Sequence, residues 1–252
     1  QHLNPDRPTV GITFPRSYWL EHNTAHIEAL VTAVEELDAN TVPFFCLRLP
    51  DARRGNPGMA QVLENLLRDD EGRCVVDTLV DVHGMSMTAG VPANADAYPN
   101  LGVSVLHALT SYAPRAAWQA TAQGMGSMDV ATQAAQPEFD GALITKLLAT
   151  READEVDELT GAVVPRMVPV PGRAQAMAEL ALSWARLART PTGQRKVAIV
   201  FHHHPPRNDR IGCASGLDTF ESVRQLLIRM GEEGYDVPEQ FETGDDIAQV
   251  LL

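Results

Sequence analysis

From Thr9 onward the chain alternates short apolar runs of strand length with segments of helical period, and that alternation restricts the fold more than any other feature. Thr9–Phe14 (TVGITF) reads as a first strand, and His26–Leu37 repeats its apolar residues with the 3.6-residue period of a helix. Thr41–Leu47 (TVPFFCL) reads as a second strand and Met59–Leu67 as a helix. Val75–Val82 and Val103–Leu109 are further strands, separated by the Gly/Pro/Asn-rich loop Gly84–Gly102. A loop of that length inside a compact domain is usually functional or mobile. Helices near Ala116–Ala122 and Met128–Ala135 precede a strand-like Ala142–Leu148. An acidic, irregular segment follows, Ala149–Pro171, broken by Gly161 and three prolines. Gln175–Ala188 is again helical and stops at the breaker Thr190-Pro191-Thr192-Gly193.

After the breaker the pattern restarts. TVGITF, a loop, a helix and TVPFF are echoed by KVAIVF, a loop, a helix and the short YDVP. The expectation is an α/β chain of two Rossmann/flavodoxin-like units, 1–192 and 193–252, each a mainly parallel sheet with helices on both faces. The second unit reads as truncated: the chain starts at Gln1 without a methionine and stops at Leu252 within the helix-like DDIAQVLL, as an internal piece of a longer protein would. The loops after the two leading strands, Pro15–Thr24 and His202–Leu217, are expected at strand carboxyl ends, where ligands bind in open α/β sheets. A cleft between the units would use both.

The bulk numbers remove several function classes. A net charge of -13 argues against duplex nucleic acid or an anionic membrane as partner, since both need a basic surface. The acidic stretches Arg151–Glu158 and Glu239–Asp246 read as solvated surface. Cys46, Cys74 and Cys213 form no C-x-x-C pair, which suits reduced thiols in a cytoplasmic protein. No apolar run approaches membrane-spanning length.

The chemistry-bearing residues gather at expected strand ends. Lys196–Leu227 reads as a buried strand, Val197–Phe201, then a polar loop, then an amphipathic helix over Thr219–Met230. The loop carries His202, His203, His204, Pro205, Pro206, Asn208, Asp209 and Arg210. Successive residues at a strand end point to opposite faces, so the three imidazoles do not readily share one metal ion. One or two of them with a ligand from elsewhere is the workable arrangement, since a neutral imidazole can bind a transition metal or accept a proton near neutral pH. The alternative is a polar strand end whose histidines pack on their own loop. His22 and His26 have the i, i+4 spacing of a shared helix face, but an N-cap at Asn23 or Thr24 would leave His22 outside the helix. Asp81 and His83, ahead of Gly84-Met85-Ser86-Met87, form a second strand-end cluster. Pro137-Glu138-Phe139-Asp140-Gly141 sets two carboxylates in a turn; Asp140-Gly141 reads as the turn itself and Glu138 as the better candidate for contact with a ligand or the other unit. There is no G-x-x-x-x-G-K-[ST] loop, no G-x-S-x-G elbow, no H-E-x-x-H, and no G-x-G-x-x-G after either leading strand.

With these residues in view, the chain resembles the CobN/H-subunit family, the large subunits of cobaltochelatase and magnesium chelatase. The segments that carry the resemblance are VGITFPRSYWL, TAHIEALVTAVEE, VDTLVDVHGMSM, LGVSVLHAL, ATQAAQPEFDG, RAQAMAELALSWARLAR, KVAIVFHHHPPRNDRIGCASGLD and EEGYDVPE, in that order. The resemblance implies ATP-dependent insertion of a divalent metal, cobalt first and magnesium second, into a corrin or porphyrin precursor. The large subunit would bind the tetrapyrrole and carry out insertion, while separate AAA+ ATPase subunits bind and hydrolyse the ATP. His26, the Arg16-Ser17 pair, Pro137, Glu138, Asp140 and Gly141 match the family's segments, as do Pro205, Pro206, Gly212, Ala214 and Asp218. The His202-His203-His204 triplet and Asp209-Arg210 depart from it, standing where relatives carry an aromatic/Asn/aromatic triplet and a Gly-Asn pair. The expected site is therefore His26, Glu138 and His203 as catalytic groups, Arg16, His83, Asn208 and Arg210 against the macrocycle, and His202 and His204 on the metal. Arginines suit macrocycle carboxylates because they pair bidentately. A histidine or carboxylate suits removal of the pyrrole N–H protons. The competing expectation is a non-catalytic tetrapyrrole- or metal-binding scaffold that docks partner subunits.

Overall fold

Strand β1 (Thr9–Pro15) is apolar and almost wholly buried, and two strands pair with it in parallel: β2 (Asn40–Cys46) on one side and β3 (Thr78–Asp81) on the other. β4 (Ser104–Ser111) extends the sheet beside β3, and β5 (Leu143–Val156) lies parallel to β4. β6 (Val163–Pro169) closes it antiparallel to β5. The order β2-β1-β3-β4-β5-β6 is the flavodoxin-like winding, whose direction reverses between β1 and β3. The computed structural model describes residues 3–204 and 207–252, and within them not the side chains of Asp154, Glu155 and Asp209. Pro205 and Pro206, two of the residues that carry the resemblance, lie outside the described residues. The chain divides into two compact units, Gln1–Arg189 and Thr190–Leu252.

In the first unit, period-2 alternation sorts each strand between two cores. Val10, Ile12, Val80, Val82, Leu106 and Ala108 meet α2 (Ala25–Glu36) and α8 (Arg173–Arg189) through Ile27, Leu30, Val34, Met177, Ala181 and Leu182. Phe44, Leu79 and Val105 point the other way, onto Met59, Leu63 and Leu67 of α3 (Met59–Leu67) and Tyr98 and Leu101 of α4 (Ala97–Leu101). Gly11 lies on this second face of β1; a Cβ there would come within 3.0 Å of Leu79 and 3.3 Å of Val76, so its absence lets the strands and the loop before β3 close up.

Three sequence expectations change. The irregular segment Ala149–Pro171 is a hairpin: β5 runs on to Val156 and returns as β6. Its turn is built by Asp157, whose carboxylate accepts from the backbone N–H and hydroxyl of Thr160 at 2.7 and 2.6 Å, followed by Gly161 at φ +67. Pro165 and Pro169 are tolerated because β6 is an edge strand, where a missing N–H breaks no inner ladder. The helix over Met128–Ala135 is longer and irregular: α6 (Ser127–Asp129), a π-helical stretch (Val130–Ala135) and α7 (Gln136–Phe139) follow without a break. α1 (Arg16–Leu20) and α5 (Arg115–Ala120) are short helices just past β1 and β4.

The third change concerns the second unit. Its helices, α9 (Thr219–Glu232) and α10 (Gly244–Leu251), form as the periodicity predicts. Asp218 caps α9 by accepting from the Glu221 N–H, and Thr243 and Asp246 make a capping box on α10. Gly244 lies so close to α9 that a Cβ would sit 2.6 Å from the Glu221 nitrogen. The expected strand Val197–Phe201, however, joins no ladder among the described residues, and neither does YDVP. A strand is stabilised by its neighbours, and none is supplied here: Val197 is 55% and Val200 89% exposed. Among the described residues no helix is long and apolar enough to cross a membrane.

Candidate functional site

At the carboxyl ends of β1, β3 and β4 the face toward α3 and α4 turns polar. Thr13, Asp81 and His107 lie in register on the three neighbouring strands, all at most 1% exposed. Asp81 is the hub. Its Oδ1 lies 2.6 Å from His83 Nδ1 and accepts the His83 backbone N–H at 2.9 Å, a tight Asp-x-His turn at the strand end. Its Oδ2 accepts the Tyr98 hydroxyl at 2.8 Å and lies 3.6 Å from His107 Nδ1. On its far side His83 Nε2 lies 3.8 Å from the sulfur of Cys46, which is 3.6 Å from Thr13 Oγ1.

Burial alone would push the Asp81 carboxyl up, but the His83 charge and the His107 and His83 imidazoles hold it well below the usual carboxylate range. Burial likewise works against the His83 cation, and the Asp81 charge and hydrogen bond overcome it, raising His83 to about 10. Tyr98 is raised by burial and then by the Asp81 charge. The resting state is thus a buried carboxylate–imidazolium pair, in which His83 holds its proton at neutral pH.

The loop after β3 is pinned over this cluster. Asp140 accepts from the Ser86 and Thr88 hydroxyls, both at 2.5 Å, and from the Met87 N–H at 2.7 Å. Asn94 donates to the Arg48 and Met87 carbonyls, both at 2.9 Å. The long Gly84–Gly102 loop is therefore held from outside by Asp140 and from within by its own Asn94. Gln133, in the π-helical stretch, accepts from the Thr110 N–H and hydroxyl at 2.7 and 2.8 Å, and its buried Nε2 has no partner among the described residues.

Around the cluster the rim is apolar and exposed. Trp19 stacks on Phe45 with centroids 6.1 Å apart and planes at 26°, and Phe14 meets Phe45 edge-on at 6.2 Å. Trp19, Met85 and Tyr112 are each about half exposed. A pocket of about 410 Å³ lies against Phe14, Trp19, Ile27, Val31 and Pro43. A second, of about 220 Å³, is lined by Arg16, Phe45, Cys46, Leu47, Asn56, Pro57 and Val62.

The structure distributes the sequence-predicted residues unevenly. Arg16 and His83 both stand at the β1/β3 switch point, Arg16 beside the rim and His83 beneath it. His26 is fully buried in α2, edge-on to Tyr18 at 4.9 Å, with neither ring nitrogen partnered among the described residues; burial lowers it to about 4, so it is neutral. His22 lies outside the helix, at φ +52. Glu138 is exposed next to Phe139, whereas Asp140 is buried and does more than turn the chain. In the second unit His202 and His204 are exposed with ring centroids 6.3 Å apart, while His203 Nε2 lies 3.0 Å from the Arg207 carbonyl. Asn208 and Arg210 are exposed on a short 3₁₀ turn, Arg210 Nη1 reaching the Cys213 sulfur at 3.7 Å. Among the described residues no three His, Cys, Asp or Glu side chains converge as a metal cage.

Comparison with known proteins decides the family. The model of the CobN/Magnesium Chelatase family matches residues 1–252, the whole chain. The chain belongs to this family. The aerobic cobaltochelatase subunit CobN of Sinorhizobium sp is 30% identical over 246 residues, 97% of this chain and 19% of that protein. The magnesium-chelatase H subunit of Rhodobacter capsulatus is 28% identical over 262 residues, 97% of this chain and 21% of that protein. The solved catalytic subunit of cobaltochelatase from Mycobacterium tuberculosis superposes with a TM-score of 0.74 at 28% identity, covering all of this chain and 20% of that one. The chain spans about a fifth of the length of these relatives.

Within this CobN/magnesium chelatase chain, the sequence singled out Asp81 and His83 but not Cys46, Tyr98 or His107, which complete the cluster, nor Gln133 beside Thr110. One signal was available for His107. It interrupts the apolar run VLHAL, and a polar residue inside a buried strand needs a reason to be there. Cys46 and Tyr98 carry no such mark, because both suit an apolar core.

Proposed function

We propose that this chain is the part of a chelatase large subunit that seats one face of a tetrapyrrole at the carboxyl edge of its first sheet. The subunit would insert a divalent metal, cobalt or magnesium, into a corrin or porphyrin precursor, with ATP bound by separate AAA+ partners. Arg16 beside the Trp19–Phe45 stack carries the reading. A tetrapyrrole is a flat apolar disc fringed by carboxylates, and this rim offers exposed rings next to a guanidinium that makes no ion pair among the described residues. The location supports it too, since open α/β sheets bind ligands where their winding reverses.

In this reading Arg16 pairs with a macrocycle carboxylate, and His83 acts from beneath by fixing the strand end. Exposed Glu138 is the carboxylate available to accept pyrrole protons. Within the second unit, His202 and His204 carry exposed imidazoles of a kind that binds divalent metals, His203 is held by its own loop, and Asn208 and Arg210 are exposed polar groups. His26, neutral and buried, supports Tyr18 rather than touching the ligand. A cytoplasmic setting is supported by the three cysteines, all free thiols.

Soret-band titration of the full-length subunit with a porphyrin and with a corrin precursor tests the binding. Saturable binding of one of them, weakened by Arg16→Ala, is the expected result; no binding of either overturns the reading. Metal insertion assayed with and without the ATPase partners separates an enzyme, which turns over with them, from a scaffold, which binds without turnover.

A further inference from the structure

Cys46 ends β2 with its sulfur between two groups of the polar cluster, 3.8 Å from His83 Nε2 and 3.6 Å from Thr13 Oγ1. The other nitrogen of His83 is held by Asp81 at 2.6 Å, and Asp81 is fixed by Tyr98 at 2.8 Å. Sulfur, imidazole and carboxylate thus stand in the order of a Cys–His–Asp relay, where the carboxylate orients the ring and the ring addresses the sulfur. A cysteine kept only for packing has no need of this company. Cys46 is also one wall of the 220 Å³ pocket it shares with Arg16, and at 5% exposure it admits only small reagents. The macrocycle reading makes no use of the sulfur.

We propose that Cys46 is a thiol-oxidation site for small hydroperoxides. His83 is already cationic, with the Asp81 charge outweighing burial, so its Nε2–H serves the sulfur as a donor and not as a base. The thiol proton passes to water, and the thiolate is held by the Nε2–H and by the Thr13 hydroxyl. The thiolate then attacks one peroxide oxygen: the S–O bond forms, the O–O bond breaks, and the departing hydroxide or alkoxide takes a proton from solvent. Sulfur loses two electrons and the peroxide gains them, so thiol plus hydroperoxide gives sulfenic acid plus water or alcohol. Added thiol reverses the change, condensing with the sulfenic acid to a disulfide with loss of water before a second thiol releases Cys46. Oxygen added to the sulfur would enter the pocket beside Arg16, coupling the thiol's state to whatever that pocket holds.

The test is trapping with dimedone in the full-length subunit treated with hydrogen peroxide, read by mass spectrometry on the Cys46 peptide. If the fold builds the nucleophile, Cys46 is labelled roughly tenfold or more faster in native protein than in denaturing urea. His83→Gln lowers the native rate toward the unfolded one. Thr13→Val, a near-isosteric change suited to the case where His83→Gln does not fold, lowers it by a smaller factor. Native labelling slower than unfolded labelling overturns the proposal, because that is how an inert buried thiol behaves. The sulfur chemistry needs no macrocycle, so failure of porphyrin binding leaves this result to stand or fall on its own.

Discussion

Tyr98 donates its hydroxyl to Asp81 at 2.8 Å, tying the helix that ends the long loop to the end of the central strand pair. That bond and the His83 pairing leave Asp81 1% exposed yet charged. The two partners are not equivalent. Tyr98→Phe removes a hydrogen bond to a charged group and is expected to cost about 1.5–3 kcal/mol. Asp81→Asn leaves the His83 cation buried without its counter-charge and is expected to cost about 3–5 kcal/mol. Urea titrations of both variants check the ranking; an equal or inverted cost would mean that the pair is not ionised.

The same pair sets an alkaline limit. His83 is raised from 6.5 to about 10 in the folded protein, so the unfolded chain releases this proton first. Its contribution is fully present below pH 6.5 and is lost as the pH rises through about 10. Asp81 works in the opposite sense: held below its ordinary 3.8, it contributes above that pH and is lost on deep acidification. Thermal melts across the alkaline range should fall progressively in the parent, and fall less in His83→Gln.

His26 sets an acid limit that comes earlier. Burial lowers it from 6.5 to about 4, so between those values the unfolded chain takes up a proton that the folded chain refuses. Stability is therefore lost as the pH drops from 6.5 toward 4, by about 3 kcal/mol for a shift of this size. His26→Leu should flatten the stability profile in this window. A profile that stays equally steep would place the acid sensitivity elsewhere.

Asp140 accepts three hydrogen bonds from Ser86, Met87 and Thr88. Asp140→Ala strands those donors and should cost roughly 2–4 kcal/mol. It should also release the loop locally, so hydrogen exchange at the Met87 amide should speed up more than exchange in β1.

Arg16→Lys separates shape from charge at the proposed macrocycle contact. A point charge keeps the sign but loses the planar fork, so porphyrin affinity should drop about tenfold, and Arg16→Ala should lower it further. Equal affinity across the three proteins would remove Arg16 from the contact.

Elements that bury an apolar face were readable from the sequence. The helix expected at Met59–Leu67 forms over those residues, and the strands of the parallel sheet fall within a few positions of their apolar runs. What escaped reading depends on partners distant in the chain. β6 alternates weakly and carries two prolines, and only its place at the sheet edge explains why it is a strand at all. KVAIVF has strand composition but no ladder among the described residues, since composition does not supply a neighbour. The site follows the same logic. Asp81 and His83 are two residues apart and visible together, whereas Cys46, Tyr98 and His107 join them only through strand register and helix packing. Asp140 read as a turn residue because its three donors lie more than fifty positions earlier.

The run Val197–Phe201, which joins no ladder among the described residues, also governs how the isolated chain will behave in a test tube. Its backbone N–H and C=O groups and its exposed valines form an open template for a second copy, since free edges of this kind recruit one another. Concentrated samples of these residues alone should self-associate into β-rich aggregates, and Val200→Lys should keep them soluble.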